Sequence, residues 1–135
     1  MRVTHENVVA VNASRDFRVH DGKLTHVMIF PRERRIEIYM ELQYERKMVM
    51  IIVEEYATFS TMDFAMDGCL VLGAQLCPAD DFGVEAQNFD TVYDDISAII
   101  KEKDASQYIA MKIVYKSGDV MKAVCRAIAY DAVEF

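Results

Sequence analysis

The alternation of apolar and polar residues in the middle of the chain predicts β-strands. Between residues 36 and 43, isoleucine, methionine and leucine occupy every second position, and charged or polar residues occupy the others. A strand with one face on a core and one face in water has this period of two. Residues 24–30 form a second apolar run, and the charged segment 31–35 begins with Pro31, which cannot extend a strand ladder. We therefore expect residues 24–42 to form an antiparallel hairpin.

Further strands are predicted after the polar turn at residues 43–47. Residues 48–53 are apolar at consecutive positions, which is typical of a strand covered on both faces, so we place this strand at the centre of the sheet. The segment 56–64 is rich in aromatic residues and threonine, and we expect it to continue the strand after a bend or bulge. The remaining predicted strands are 69–76, 108–116 and 120–133.

One segment has the period of a helix. Val92, Ile96, Ile99 and Ile100 fall at i, i+4, i+7 and i+8, so they line one stripe of a helix over about 90–103. The predicted fold class is α+β: a single domain over residues 1–135, with an antiparallel twisted sheet of about seven or eight strands, open or partly curled, and one main helix packed on it.

The composition is that of one folded domain. The chain has 135 residues, of which 53% are hydrophobic and 27% are charged. Its three cysteines are odd in number and form no CxxC pair, so we interpret them as small core residues. The N-terminus is charged from the second residue onward and no apolar run approaches the ~20 residues of a membrane span, so we expect no signal peptide, no membrane association and a cytoplasmic protein.

Acidic residues are concentrated in one stretch of the sequence. Of the 22 acidic residues, ten lie between positions 48 and 100, where there is no lysine or arginine. Such a block disfavours nucleic acid as a partner and would steer a basic protein towards it; the alternative is a solvated surface that only keeps the protein soluble. The residues that we assign to a partner-binding surface are Glu54, Glu55, Asp80, Asp81, Glu85, Asp94 and Asp95.

Two histidines are candidates for a ligand site. His20 stands next to Asp21, and a carboxylate beside an imidazole can orient a general base. The Asp-Gly dipeptide that follows also favours a turn, and adjacent side chains usually point apart, so we favour the turn. His26 shares a predicted strand face with Leu24, Met28 and Phe30. A ligand-binding or metal-assisted site on the sheet would use His20, Asp21 and His26.

No sequence motif indicates an enzyme. The chain contains no GxSxG elbow, no P-loop and no GxGxxG loop, and the acidic residues of the predicted loop 77–88 do not have the spacing of a calcium-binding loop. We therefore expect no catalytic residue, no metal site and no cofactor.

Four parts of the sequence resemble a group of small uncharacterised bacterial proteins. They are the segment 17–24 with its His20-Asp21 pair, the predicted strands 36–42 and 48–53, and the closing segment 108–130. In that group a His-Asp pair precedes a strand meander, and a strand-turn-strand unit ends the chain. Some members resemble immunity proteins that lie beside polymorphic toxins. The resemblance implies a binding role without catalysis.

Three classes of function follow as expectations. The first is a non-enzymatic binding protein of immunity or inhibitor type, whose acidic surface engages a basic protein. The alternative is a small-ligand or metal-binding domain, or a structural homo-oligomer held together by an uncovered face of the sheet.

Overall fold

The structure, a computed structural model, describes residues 1–14, 16–60, 70–79 and 105–134. In these ranges the chain forms seven strands, one α-helix and one short 3₁₀ helix. The elements in chain order are β1 (Arg2–Thr4), α1 (Val8–Ala13), β2 (Lys23–Phe30), β3 (Arg35–Leu42), β4 (Lys47–Ser60), β5 (Val71–Pro78), the 3₁₀ helix (Ala105–Gln107), β6 (Ile109–Tyr115) and β7 (Val120–Glu134).

All seven strands belong to one antiparallel sheet with the order β2-β3-β4-β7-β6-β5, and β1 also pairs with β7. The predicted hairpin is confirmed, since β2 pairs with β3 and Val27 faces Ile38. The predicted bulge is also present, because the register between β4 and β7 shifts between Tyr56 and Thr58. β4 then continues to Ser60, and the rest of the predicted extension lies outside the described residues.

The buried face of the sheet forms the core. In β3, the alternation predicted from the sequence is confirmed, because Ile36, Ile38, Met40 and Leu42 are buried. β4 is central, as predicted, with β3 and β7 on either side. Further buried core residues are Val49, Ile51 and Val53 of β4 and Ile128 and Tyr130 of β7.

The expectation that β4 is covered on both faces is wrong. Met48, Met50 and Ile52 are only partly buried, while the residues that alternate with them are fully buried. Their neighbours on β3 explain the difference, because Met50 faces Tyr39 and Ile52 faces Glu37, which are polar residues directed outward. Met48, Met50 and Ile52 thus form a second, apolar face of β4 that is only partly covered.

The α-helical part of the fold differs from the expectation. The predicted main helix over about 90–103 lies outside the described residues, so the α+β class with one main helix stays a prediction. The helix that the structure describes, α1, has six residues and buries only Val8 and Val11. A single i, i+3 pair is too short a pattern to indicate a helix in sequence. The described fold is accordingly dominated by the antiparallel sheet.

The two cysteines in the described ranges, Cys77 and Cys125, are buried thiols, as predicted. Burial raises the pKa of the Cys125 thiol well above its ordinary value, so this group behaves as an apolar core residue. Cys69 lies outside the described residues.

The two outer strands of the sheet meet at one point and then separate. Lys23 at the start of β2 forms an isolated antiparallel bridge with Leu70. Val71 accepts a hydrogen bond of 2.9 Å from the Asp21 N–H and donates one of 2.9 Å to the Gly22 carbonyl. After Val71, β5 diverges from the segment that precedes β2, and α1 packs against β5. The separation leaves a cleft beside the edge of β5.

Of the helices that the structure describes, none has both the length and the apolar character required to cross a bilayer.

Candidate functional site: a cleft beside β5

The cleft has a volume of about 470 Å³ and lies between α1, the segment before β2, the turn between β3 and β4, and β5. Its floor is apolar, and its rim carries polar and charged side chains. The floor residues are Val11, Phe17, Val19, Leu42, Ala74 and Leu76. The polar rim residues used below are Asn12, Arg18, His20 and Asp21.

Aromatic packing positions the segment that forms one wall. The Phe17 ring packs against the Tyr130 ring with a centroid distance of 5.2 Å. The Tyr130 hydroxyl donates a hydrogen bond of 2.9 Å to the Arg18 carbonyl. These two contacts hold the segment against the end of β7, so the backbone of residues 17 and 18 has a defined place at the cleft.

The turn at the mouth of the cleft depends on two unusual backbone positions. Asp21 has a φ of 60°, in the left-handed region that aspartate tolerates better than most residues. Gly22 has no room for a side chain, because a Cβ there would lie 2.8 Å from the Val19 carbonyl oxygen and 3.2 Å from Met40 Sδ. Packing as well as turn preference therefore requires glycine at position 22 of the predicted Asp-Gly turn.

His20, Asp21 and Lys116 form a connected cluster at this turn. The His20 Nδ1 lies 2.6 Å from the Leu72 carbonyl oxygen, and its Nε2 lies 3.3 Å from Asp21 Oδ2. Because a carbonyl oxygen has no hydrogen to give, Nδ1 is the donor in the first contact. The Lys116 ammonium donates a hydrogen bond of 2.5 Å to Asp21 Oδ1, and this bond holds the pKa of the Asp21 carboxyl below its ordinary value. The two adjacent side chains therefore converge.

His26 does not belong to this cluster. Its ring stacks on Tyr39 with a centroid distance of 4.4 Å, on the outward face of the sheet. The expectation that His26 shares a face with Leu24 is wrong, because the register of β2 shifts between these two residues, whereas Met28 and Phe30 lie on the face of His26 as predicted. One extra residue reverses the alternation, so Leu24 is buried and His26 is exposed.

The acidic partner surface is described only at its first two residues. Glu54 forms an ion pair with Arg2, and Glu55 Oε2 lies 3.6 Å from Arg126 Nε. These arginines partly neutralise the two carboxylates. The other residues assigned to this surface, Asp80, Asp81, Glu85, Asp94 and Asp95, lie outside the described residues.

In the part of the chain that the structure describes, no three His, Cys, Asp or Glu residues converge. The third member of the His20-Asp21 cluster is an ammonium group, which repels a metal cation and already occupies the carboxylate.

Sequence reasoning missed Asn12, Ala74 and Lys116 as residues of this region. Asn12 Oδ1 accepts a hydrogen bond of 2.9 Å from the Leu76 N–H, 64 residues away. Lys116 reaches Asp21 across 95 residues. No local pattern in a sequence reports contacts over such separations, so these roles became visible only in the folded chain.

Comparison with known protein families, with curated proteins and with solved structures gave no significant match. The resemblance to small bacterial proteins with a His-Asp pair and to immunity proteins therefore stays a prediction.

Proposed function

We propose that this protein is a binding protein whose cleft beside β5 holds a small organic ligand with an apolar body and a polar end. The observation that carries the proposal is a concave site with an apolar floor and a few polar groups on its rim. Ligand sites in proteins have this composition, and their volumes fall in the range of about 300–1,000 Å³.

The charges of the rim support a polar end on the ligand. The Arg18 side chain is exposed by 59%, and its distance of 3.9 Å from Glu45 is that of a loose ion pair. The His20 side chain is exposed by 67%, and its Nε2 lies near the mouth of the cleft beside Asp21. The Arg18 guanidinium can donate hydrogen bonds to an incoming carboxylate, phosphate or amide oxygen, and His20 Nε2, the ring nitrogen that is not bonded to Leu72, can exchange a hydrogen bond with a polar group of the ligand.

The test is a ¹⁵N-¹H correlation NMR titration with a set of small carboxylates, amides and phosphate monoesters that carry alkyl or aryl groups. We expect at least one compound to shift the amide signals of Val11, Val19 and Leu76 together. The His20→Ala variant should then lose most of the thermal stabilisation that this compound confers, whereas His26→Ala should retain it, since His26 lies on the other face. Equal loss in both variants, or shifts confined to the outer face, would contradict the proposal.

We also propose, on the charge pattern of the sequence, an acidic surface that binds a basic protein, as in immunity or inhibitor proteins. Ten acidic residues without a basic one between positions 48 and 100 support it. Charge reversal at Asp80 and Asp81, or at Asp94 and Asp95, should weaken capture of a basic partner in a pull-down at low salt. Reversal at Glu54 and Glu55 should have a smaller effect because both pair with arginine. Unchanged capture by every variant would refute this second proposal.

A further inference from the structure

We infer that the ligand of the cleft is an extended peptide segment that pairs with the free edge of β5 at Ala74. This inference rests on the proposed function of the cleft and specifies the chemistry of its ligand. It is supported by the direction of the main-chain N–H and C=O groups of β5, which the hydrogen bonds and the strand register establish residue by residue.

Alternate residues of β5 direct their N–H and C=O groups to opposite sides of the strand. The Leu76 N–H points away from β6, because it donates to the Asn12 side chain. The register from Gly73 to Pro78 has no shift. Ala74, two residues before Leu76, therefore directs both its N–H and its C=O to the same free edge, where the cleft lies.

Side chains of the protein already bind the groups on either side of Ala74. On one side, His20 Nδ1 donates to the Leu72 carbonyl, and on the other, Asn12 Oδ1 accepts from the Leu76 N–H. Among the hydrogen bonds of the described residues that lie outside helices and strand ladders, none involves Ala74. Within the described part of the chain, an unpaired donor and an unpaired acceptor thus lie together at the wall of an apolar cleft.

A peptide residue is the chemical group that matches such a pair. In an antiparallel ladder, two opposed residues exchange both of their N–H···O=C bonds. Peptides bind exposed strand edges in this way, with side chains placed in pockets for specificity. The protein itself uses this edge, since residues Asp21 and Gly22 form main-chain bonds with Val71 before their segment leaves β5.

The cleft also predicts the side chain of the bound residue. Residues directly opposed in a sheet share one face, and Ala74 packs against the core on the face that carries the buried Leu76. The side chain opposite Ala74 should therefore enter the apolar floor near Val19. The stretch from Leu72 to Leu76 spans about 13 Å, which accommodates roughly three residues of extended chain.

The first test uses the blocked tripeptide acetyl-Ala-Leu-Ala-N-methylamide and its analogue with a methyl group on the leucine nitrogen. The two have the same apolar side chain, but the analogue cannot donate to the Ala74 carbonyl. We expect the tripeptide to shift the Ala74, Val19 and Leu76 signals in ¹⁵N-¹H spectra, and the analogue to bind about threefold to tenfold more weakly, as loss of one hydrogen bond predicts. Equal affinity of the two peptides would overturn the inference.

The second test changes the protein. Ala74→Pro removes the edge N–H, and proline is tolerated where that N–H does not belong to the ladder, so the β5–β6 pairing should persist. We expect the same threefold to tenfold loss for the tripeptide, with Ala74→Gly as the control that keeps the N–H. If Ala74→Pro does not fold, the comparison of the two peptides on the unaltered protein still decides the question.

Three outcomes separate this inference from the function on which it rests. Binding of other small compounds in the cleft without binding of the tripeptide overturns the peptide inference and leaves the proposed function intact. Absence of any cleft ligand overturns both. Strong protection of the Ala74 N–H from hydrogen exchange in the free protein, comparable with Gln75 in the ladder, would show that the edge is already paired, by the chain itself or by a second copy, and would also overturn the inference.

Discussion

Lys116, which immediately follows β6, donates a hydrogen bond of 2.5 Å to Asp21, which lies 95 residues earlier in the turn before β2. This bond joins the two outer parts of the sheet at the point where they meet. The Lys116 N–H also donates to the Leu70 carbonyl at 2.8 Å, so the same residue holds the start of β5. The mouth of the cleft is therefore positioned by three segments that are distant in sequence.

Asp21→Asn should lower stability at neutral pH and should remove part of its pH dependence. The pKa of Asp21 is lowered in the folded protein by the hydrogen bond from Lys116. The stabilisation is therefore present above about pH 4, the ordinary range of a carboxyl group, and is lost as the pH falls through the lower pKa of the folded state. Urea unfolding from about pH 6 to about pH 2 should show the stability difference between the two proteins decreasing on acidification.

The control for this prediction is Asp131→Asn, which removes an exposed carboxylate from β7. Among the described residues Asp131 is in no ion pair. If the difference in unfolding free energy between Asp21→Asn and the unaltered protein stays constant across the pH range, the hydrogen bond from Lys116 does not contribute to that difference.

Gly22→Ala should destabilise the protein by about 1–3 kcal/mol, because the new methyl group would lie 2.8 Å from a backbone carbonyl oxygen that cannot move freely. Gly73→Ala is the matched control on the same cleft. A Cβ at Gly73 has nothing within 4 Å, so this change should be neutral or stabilising by up to about 1 kcal/mol through the unfolded state. Thermal and denaturant unfolding of both variants measures the difference, and similar values for the two would contradict the packing described at Gly22.

Ile51→Ala and Ile52→Ala compare the two faces of β4 with one residue type in one strand. Ile51 is fully buried, and its loss should cost about 2–5 kcal/mol. Ile52 is only partly buried, so its loss should cost about 1 kcal/mol. Denaturant unfolding measures both costs from the shifts of the midpoints, provided that the m-values of the variants equal that of the unaltered protein. Equal costs would mean that the second face of β4 is covered after all.

Asn12→Ala should destabilise the protein by about 1 kcal/mol, because the Leu76 N–H loses the acceptor that lies 2.9 Å away. Alanine favours a helix more than asparagine does, which offsets part of this cost. Asn12→Asp keeps an acceptor oxygen at the same place and is the control. Hydrogen exchange adds a local measurement: the Leu76 amide should exchange faster in Asn12→Ala than in Asn12→Asp, and unchanged exchange would show that α1 does not protect this edge.

The described strands were largely predictable because their signal is local. A period of two places alternate side chains on opposite faces whatever the rest of the chain does, and β3 shows this directly, with Ile38 buried and Glu37 less so. The same rule failed at His26, where a single register shift reversed the faces of β2. A separate inference, that consecutive apolar residues are covered on both faces, failed at Met50, which is only partly buried.

The cleft was predictable only at His20 and Asp21, and there only as one of two alternatives. The sequence by itself determined strands β2 to β7, the loop between β2 and β3 and the Asp-Gly turn, because these follow from side-chain period and backbone preference within a few residues. Only the tertiary structure decided that Lys116 meets Asp21, that Asn12 binds Leu76 and that, within the described part of the chain, no hydrogen bond reaches the main chain of Ala74 at the edge of β5. These relationships depend on how far the sheet curls before its outer strands meet, which is set by the packing of the whole core and not by any short segment.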